Sequence, residues 1–199
     1  MQETLERDRS APGKSEVFVA LVHYPVVNKR GDVVTTSVTN LDVHDIARSA
    51  RTYGVAGYYV VTPTPSMQWF VRRVIRFWSQ GAGAEYNITR RDAFTLIRLA
   101  GSLEEAVEDI ERRRGRRPVL VATSARPAPD SIAFADLRRR IEAGAGDFLL
   151  ILGTGWGLDS SLFARADLRL APIEPQRSYN HLSVRAALAI VLDRLLGSR

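Results

Sequence analysis

From Val17 onward, short runs of apolar and β-branched residues alternate with longer segments in which apolar positions return every three or four residues. This alternation predicts an α/β layer fold with a mainly parallel sheet and helices on both faces. Strands are expected near residues 17–23, 57–62, 95–99, 118–123, 148–152 and 168–171. Helices are expected between them, near 42–53, 66–79, 102–114, 131–143 and 181–196. In the first, Val43, Ile46, Ala47, Ala50 and Tyr53 recur at helical spacing, which places an aspartate cap at Asp42 and a stop at Gly54. The run ERRRGRR at 111–117 reads as a solvated helix end, its arginines opposing the negative end of the dipole and Gly115 terminating the helix. Residues 1–15 are charged and polar and read as a disordered tail, leaving 16–199 as a single domain.

The chemistry concentrates in the last quarter. There an apolar strand runs into LILGTGWGL (150–158), followed by API (171–173) and SYNHLSVRAALAIVL (178–192). Gly153, Gly155 and Gly157 at alternate positions leave a strand end without side-chain cover, so a flat ligand can approach bare backbone amides. A glycine loop alone is weak evidence; its neighbours give it meaning.

Composition narrows the classes. The 199 residues, 45% of them hydrophobic, can bury one substantial core. Cysteine is absent, and His23, His44 and His181 are not in ligand spacing, which argues against disulfides, thiolate chemistry and a metal centre. No apolar run has the length of a membrane span and the N-terminal residues carry no apolar leader, so a cytoplasmic location is expected. The net charge of +6 suits a polyanionic partner.

Three islands then line up: VTNLDVHDIARSARTYGV (38–55), the glycine loop, and the API and SYNHLSVRAA segment. Their order and spacing resemble the three motifs of the SPOUT superfamily of methyltransferases, and the opening 18–55 looks like a small bacterial branch of SAM-dependent RNA methyltransferases. The resemblance implies a sheet whose C-terminal part is tied in a deep trefoil knot, a cleft for S-adenosyl-L-methionine (SAM) formed by the knot's loops, and a homodimer. Carried over by residue, it implies cofactor contacts from Thr123 and Ser124, from Leu152, Gly153, Thr154, Gly155, Trp156, Gly157 and Leu158, from Pro172 and Ile173, and from Ser178, Asn180, His181, Leu182 and Ser183. Asn180 also reads as a simple helix cap, and Trp156 as an edge-of-site residue that stacks on a ligand or plugs the cleft.

In the first island His44, Arg48 and Arg51 share one helix face. Arg48, in RSARTYGV, stands where the ribose-methylating branch has its proposed catalytic arginine; Asn40 would position substrate, and Asp42 and His44 are further candidates for proton transfer. The motifs also depart from that branch. Asp42 replaces an asparagine, Thr154 and Trp156 occupy a loop that carries a glutamate there, and one extra residue lies between Asn180 and Ser183. Ribose and base acceptors therefore both stay open. For RNA, the segment 66–80 interleaves Trp69, Phe70, Phe77 and Trp78 with Arg72, Arg73 and Arg76, and Arg51 adds a further cation; the same pattern describes an amphipathic helix with core or dimer contacts. Two other classes compete. A nicotinamide-binding oxidoreductase would need a helix directly after the glycines and further βαβ units, for which too little chain remains. A SAM- or RNA-binding protein without catalysis fits the altered motif positions.

Overall fold

The computed structural model describes residues 14–174 and 179–198. In chain order the elements are β1 (Val17–Val22), β2 (Val26–Val27), β3 (Val33–Val34), α1 (Asn40–Thr52), β4 (Gly57–Val61), α2 (Pro65–Gln80), α3 (Ala82–Tyr86) and α4 (Ile88–Phe94). Then follow β5 (Ile97–Ala100), α5 (Leu103–Arg114), β6 (Val119–Ala122), β7 (Ser131–Ile132), α6 (Phe134–Glu142), β8 (Phe148–Gly153), α7 (Ser160–Arg165), β9 (Leu168–Leu170) and α8 (Val184–Leu196).

Seven strands form one sheet in the order β5-β4-β1-β8-β6-β9-β7, every pairing parallel. A parallel sheet with helices on both faces buries its central strands on both sides, which is why β1 (VFVALV) and β8 (FLLILG) read as continuous apolar runs. The period of two divides them between two cores. Val17, Val19 and Leu21 pack with Ile46 and Ala50 of α1, Phe94, Leu137 of α6 and Leu188 and Leu192 of α8. Phe18, Ala20 and Val22 face the other way, against Leu103, Ala106 and Ile110 of α5 and Leu162 of α7.

Several expectations change. Helix α1 is capped by Thr39, whose hydroxyl oxygen accepts from the Asp42 N–H at 3.1 Å while donating to the Asp42 carboxylate at 2.6 Å. Asp42 thus sits three residues on, where a capping box has glutamate, but takes the cap's hydroxyl proton rather than its backbone N–H. The segment expected as one helix over 131–143 divides into the edge strand β7 and α6, because Ser131 and Ile132 pair with Arg169 and Leu170 of β9. The final helix starts at Val184, its cap Ser183 in extended conformation with an oxygen accepting from Ala186 N–H. Thr95 belongs to the turn closing α4, so β5 begins later than expected.

The arginine run is a solvated end only in part: Arg112, Arg113 and Arg117 are exposed, while Arg114 and Arg116 turn to the domain. Gly115 does terminate α5 at φ +72°. Arg114 and Arg116 on either side of it clasp Asp147, which is fully buried and also accepts from the Glu16 N–H at 2.8 Å. Burial alone would raise the Asp147 pKa, but the two guanidinium groups and the amide overcome it and bring it down to about 2. The expected tail at 1–15 falls largely outside the described residues, yet Ser15 is buried against the domain. Among the described residues no helix is long and apolar enough to cross a membrane.

Candidate functional site: a cleft at the carboxyl ends of the strands

The chain leaves β1, β6, β8 and β9 at one edge of the sheet, and the loops that follow enclose a cleft of about 900 Å³. Open α/β sheets place ligands at this position, outside the carboxyl ends of strands where the order reverses, and the volume falls in the range of small-molecule sites. Four stretches line it: residues 36–39 before α1, 123–126 after β6, 152–158 at the end of β8 and in the loop that follows, and the C-terminal segments around Ile173 and 180–187.

The glycine loop has a definite mechanical reason for its glycines. A Cβ on Gly153 would stand 2.6 Å from the Leu158 amide nitrogen and 2.9 Å from the Gly157 carbonyl carbon, so only hydrogen fits. Gly155 at φ +62° brings the chain so near β2 that a Cβ would lie 3.1 Å from the Val27 carbonyl oxygen. The expectation of bare amides needs revising. Thr154, Trp156 and Gly157 donate their N–H groups to the carbonyls of Val22, Val27 and Thr154, and Val27 donates back to the Gly157 carbonyl. The loop is therefore stitched to β1 and β2, and its glycines serve close approach of backbone to backbone as much as access to a ligand.

Below the loop runs a polar chain that sequence reading missed. His23, fully buried at the end of β1, has Nδ1 3.1 Å from the Thr36 hydroxyl, which in turn touches the Thr154 hydroxyl at 2.5 Å. Thr154 donates to the Val22 carbonyl at 3.1 Å. With that proton committed, Thr36 donates to Thr154 and accepts from Nδ1–H of His23. Nε2 is then a buried nitrogen without a hydrogen-bond partner among the described residues. Burial pulls the His23 pKa down to about 4 against an opposing pull from Asp42, so the ring is neutral at physiological pH.

Of the candidates on α1, the structure brings only Asp42 to the cleft. Its carboxylate is buried and lies 3.4 Å from a guanidinium nitrogen of Arg185 at the start of α8. Asn40 is exposed at the first turn of α1. His44 and Arg48 lie roughly 200° and 240° round the helix from Asp42. The His44 ring is packed between Trp78 and Phe94, with centroids at 5.3 and 4.8 Å, and burial followed by the Arg90 charge lowers its pKa despite Asp45. Arg48 is exposed and does not line this cleft, and Arg51 pairs with Asp92 at 2.7 Å.

The C-terminal candidates mostly gather at the cleft. Thr123, Ser124, Leu152 to Leu158, Ile173, Asn180, His181, Leu182 and Ser183 all line it; Pro172 does not, and Ser178 lies outside the described residues. Asn180 is no helix cap. Its amide donates to the Ile173 carbonyl at 3.0 Å and pins the two C-terminal segments together. Trp156 is half exposed at the rim. On α2, Trp69 and Phe77 are exposed while Phe70 and Trp78 pack on the core, and Arg72, Arg73 and Arg76 are exposed, with Arg73 over the Trp69 ring at 5.3 Å. Thr36, Ser37, Thr39, Arg126, Phe163 and Arg185 line the cleft without having been singled out. One signal could have found most of them: they follow strand ends or open the last helix, where α/β folds build sites.

The donor set suits a nucleoside carrying an amino-acid tail. Glycine-rich backbone and Leu152, Leu158, Ile173 and Leu182 offer flat apolar walls, and Asn180, Ser183, Arg185 and Asp42 supply polar and charged groups of both signs. Comparison with known proteins points the same way. Residues 16–197 match the family model described as SAM-dependent RNA methyltransferase. An uncharacterized protein of Aquifex aeolicus is 45% identical over 179 residues, covering 90% of this chain and 87% of that one. A protein of Oleidesulfovibrio alaskensis named tRNA (guanine-N(1)-)-methyltransferase is 45% identical over 190 residues, covering 96% of this chain; the chain spans only 44% of that relative's length. Among solved structures, the SpoU methyltransferase AviRb of Streptomyces viridochromogenes, in complex with AdoMet, superposes with a TM-score of 0.55 at 17% identity, over 94% of this chain and 61% of that one. The AdoMet-bound rRNA methyltransferase of Sinorhizobium meliloti gives 0.53 at 21%, over 92% and 57%. These likenesses extend to the α/β fold with its parallel sheet, and the family match extends to the cofactor: the chain belongs to the SAM-dependent RNA methyltransferases.

Proposed function

We propose that the cleft binds SAM and that the protein methylates a nucleotide of a structured RNA, tRNA being the first to assay. The observation that carries this reading is the convergence of the three motif segments, Thr39 and Asp42 at the start of α1, the glycine loop at the end of β8 and the C-terminal segments after β9, on one cleft at the carboxyl ends of the strands. Bound SAM supplies an electrophilic methyl group on a sulfonium. The chain's own part is to hold and orient. Gly153, Gly155 and Gly157 keep the loop low against β2, so the cleft stays open to a planar base. Arg185, which pairs with Asp42 and Asp45 at 3.4 Å, and the first turn of α8 would receive the cofactor's carboxylate, and Asp42 would receive its ammonium. Such positioning of cofactor and acceptor accounts for most of what a methyl transfer requires of a protein.

We also infer the trefoil knot. After β6 the chain returns to place β8 between β1 and β6, then crosses to β9 beyond β6, a strand order in keeping with such a knot. The homodimer of this reading rests on a catalytic role for Arg48. Exposed and off the cleft of its own subunit, it can serve catalysis only where a second copy brings it to a bound substrate. The location is cytoplasmic in this reading, and 16–199 act as one domain.

The test has three arms. Calorimetry with SAM and with NAD separates this reading from an oxidoreductase, and NAD binding without SAM binding refutes it. Methyl transfer from labelled SAM to RNA from a strain lacking the protein separates enzyme from binder. Arg48→Ala is expected to lower kcat by at least about a hundredfold at unchanged SAM affinity, and full activity in that variant removes Arg48 from catalysis.

A further inference from the structure

The antiparallel pair β2–β3 stands apart from the main sheet, joined by residues 28–32, NKRGD. Its tip is closed tightly for an exposed turn. The Asn28 side-chain oxygen accepts from the Arg30 and Asp32 N–H groups at 2.8 and 3.0 Å, and its amide donates to the Asp32 carboxylate at 3.0 Å. Backbone bonds from Asn28 N–H to the Asp32 carbonyl and from Gly31 N–H to the Asn28 carbonyl complete it, with Gly31 at φ +89°. A turn so tied presents its remaining side chains from a fixed platform, which reduces the ordering cost of binding.

The platform is fastened to the cleft. Val27 exchanges backbone hydrogen bonds with Gly157 and Trp156, and Val26 bridges to Leu158. Lys29 is two residues past Val27, so its Cα lies within about 7 Å of a cleft-lining residue. The turn consumes Asn28 and Asp32 and leaves Lys29 and Arg30 exposed, with no ion pair among the described residues. The contrast with 112–117 is sharp, where Arg112, Arg113, Arg114, Arg116 and Arg117 each sit on an aspartate. Trp156, held by the same stitch, is 51% exposed.

We propose that the β2–β3 hairpin is a phosphate clamp on the substrate RNA: Lys29 and Arg30 neutralise backbone phosphates flanking the nucleotide held in the cleft, and Trp156 stacks on an exposed base beside it. This rests on the RNA-methyltransferase reading of the site. Cations that position the backbone beside an aromatic platform are the pairing by which proteins hold non-duplex nucleic acid. Because hairpin and glycine loop are hydrogen-bonded to one another, RNA held by the one is placed in register with the other.

The test uses the full chain and fluorescein-labelled bulk tRNA, with binding measured across a series of KCl concentrations. Each phosphate contact contributes about 0.7 to 0.9 to the slope of log affinity against log salt, so Lys29→Ala/Arg30→Ala is expected to reduce that slope by roughly 1.4 to 1.8. SAM affinity by calorimetry should be unchanged, and with tRNA as acceptor KM should rise more than kcat falls. Arg139→Ala/Arg140→Ala on α6, which removes the same charge away from the cleft, should leave the slope within about 0.4 of the parent value. Equal slopes for the parent and the hairpin variant overturn the clamp, as does an equal loss from the α6 variant. A parent protein that binds tRNA but methylates none of it sinks the proposed activity while the slope still decides the clamp; a parent that binds no tRNA overturns both.

Discussion

Acidification should cost this protein stability well before its carboxylates titrate, because His23 must be neutral to stay where it is. The ring is completely buried, its Nδ1–H is committed to Thr36, and Nε2 has no hydrogen-bond partner among the described residues. Its pKa falls from 6.5 to about 4 through burial, only partly offset by Asp42. The sign follows from proton counts: between those two values the unfolded chain binds a proton that the folded one refuses, so stability is fully present above 6.5 and drains away as pH falls toward about 4. At about 1.36 kcal/mol per pH unit, the loss between about pH 7.5 and about pH 4.5 is roughly 2.5 kcal/mol. Urea unfolding of the parent and of His23→Asn, whose amide can still donate to Thr36, measures it. The variant should start less stable at neutral pH but should lose roughly 2.5 kcal/mol less on acidification. Parallel losses in the two proteins would refute the neutral, donor-only role assigned to the imidazole.

Asp147 works at lower pH. Its pKa is depressed from 3.8 to about 2, so its contribution of about 2 kcal/mol is present above 3.8 and disappears as pH falls through 2; Asp147→Ala should lower the melting temperature at neutral pH and narrow that gap in strong acid. Gly153→Ala forces a methyl group against the Leu158 and Gly157 backbone, and should cost about 1–3 kcal/mol of stability together with a clear loss of SAM affinity by calorimetry. Unchanged SAM binding there would show that the loop does not line the cofactor site. Thr39→Ala removes the α1 cap and releases the Asp42 carboxylate, with an expected cost of about 1 kcal/mol by chemical denaturation.

Most of the sheet was legible in the sequence because a parallel strand buried on both faces has to be apolar throughout, and VFVALV and FLLILG announce themselves. The short elements were not. Strands β2, β3 and β7 have two residues each, and α3, α4 and α7 five to seven, too few for a periodic signal to build. Glycine spacing and motif order located the C-terminal wall of the cleft, from Leu152 to Leu158 and from Asn180 to Ser183, since those constraints are local to the chain.

What tertiary structure alone decided are the contacts between residues distant in sequence. Asp42 meets Arg185, Thr36 meets Thr154, Arg114 and Arg116 enclose Asp147, and the β2–β3 hairpin is fastened to the glycine loop. No periodicity encodes such pairs, because each depends on where two separately specified elements arrive. The same cause explains the exposed Arg48, the buried His23 and the engaged amides of the glycine loop. A residue's type and spacing fix which face of an element it occupies, and only the packing of elements decides what that face meets.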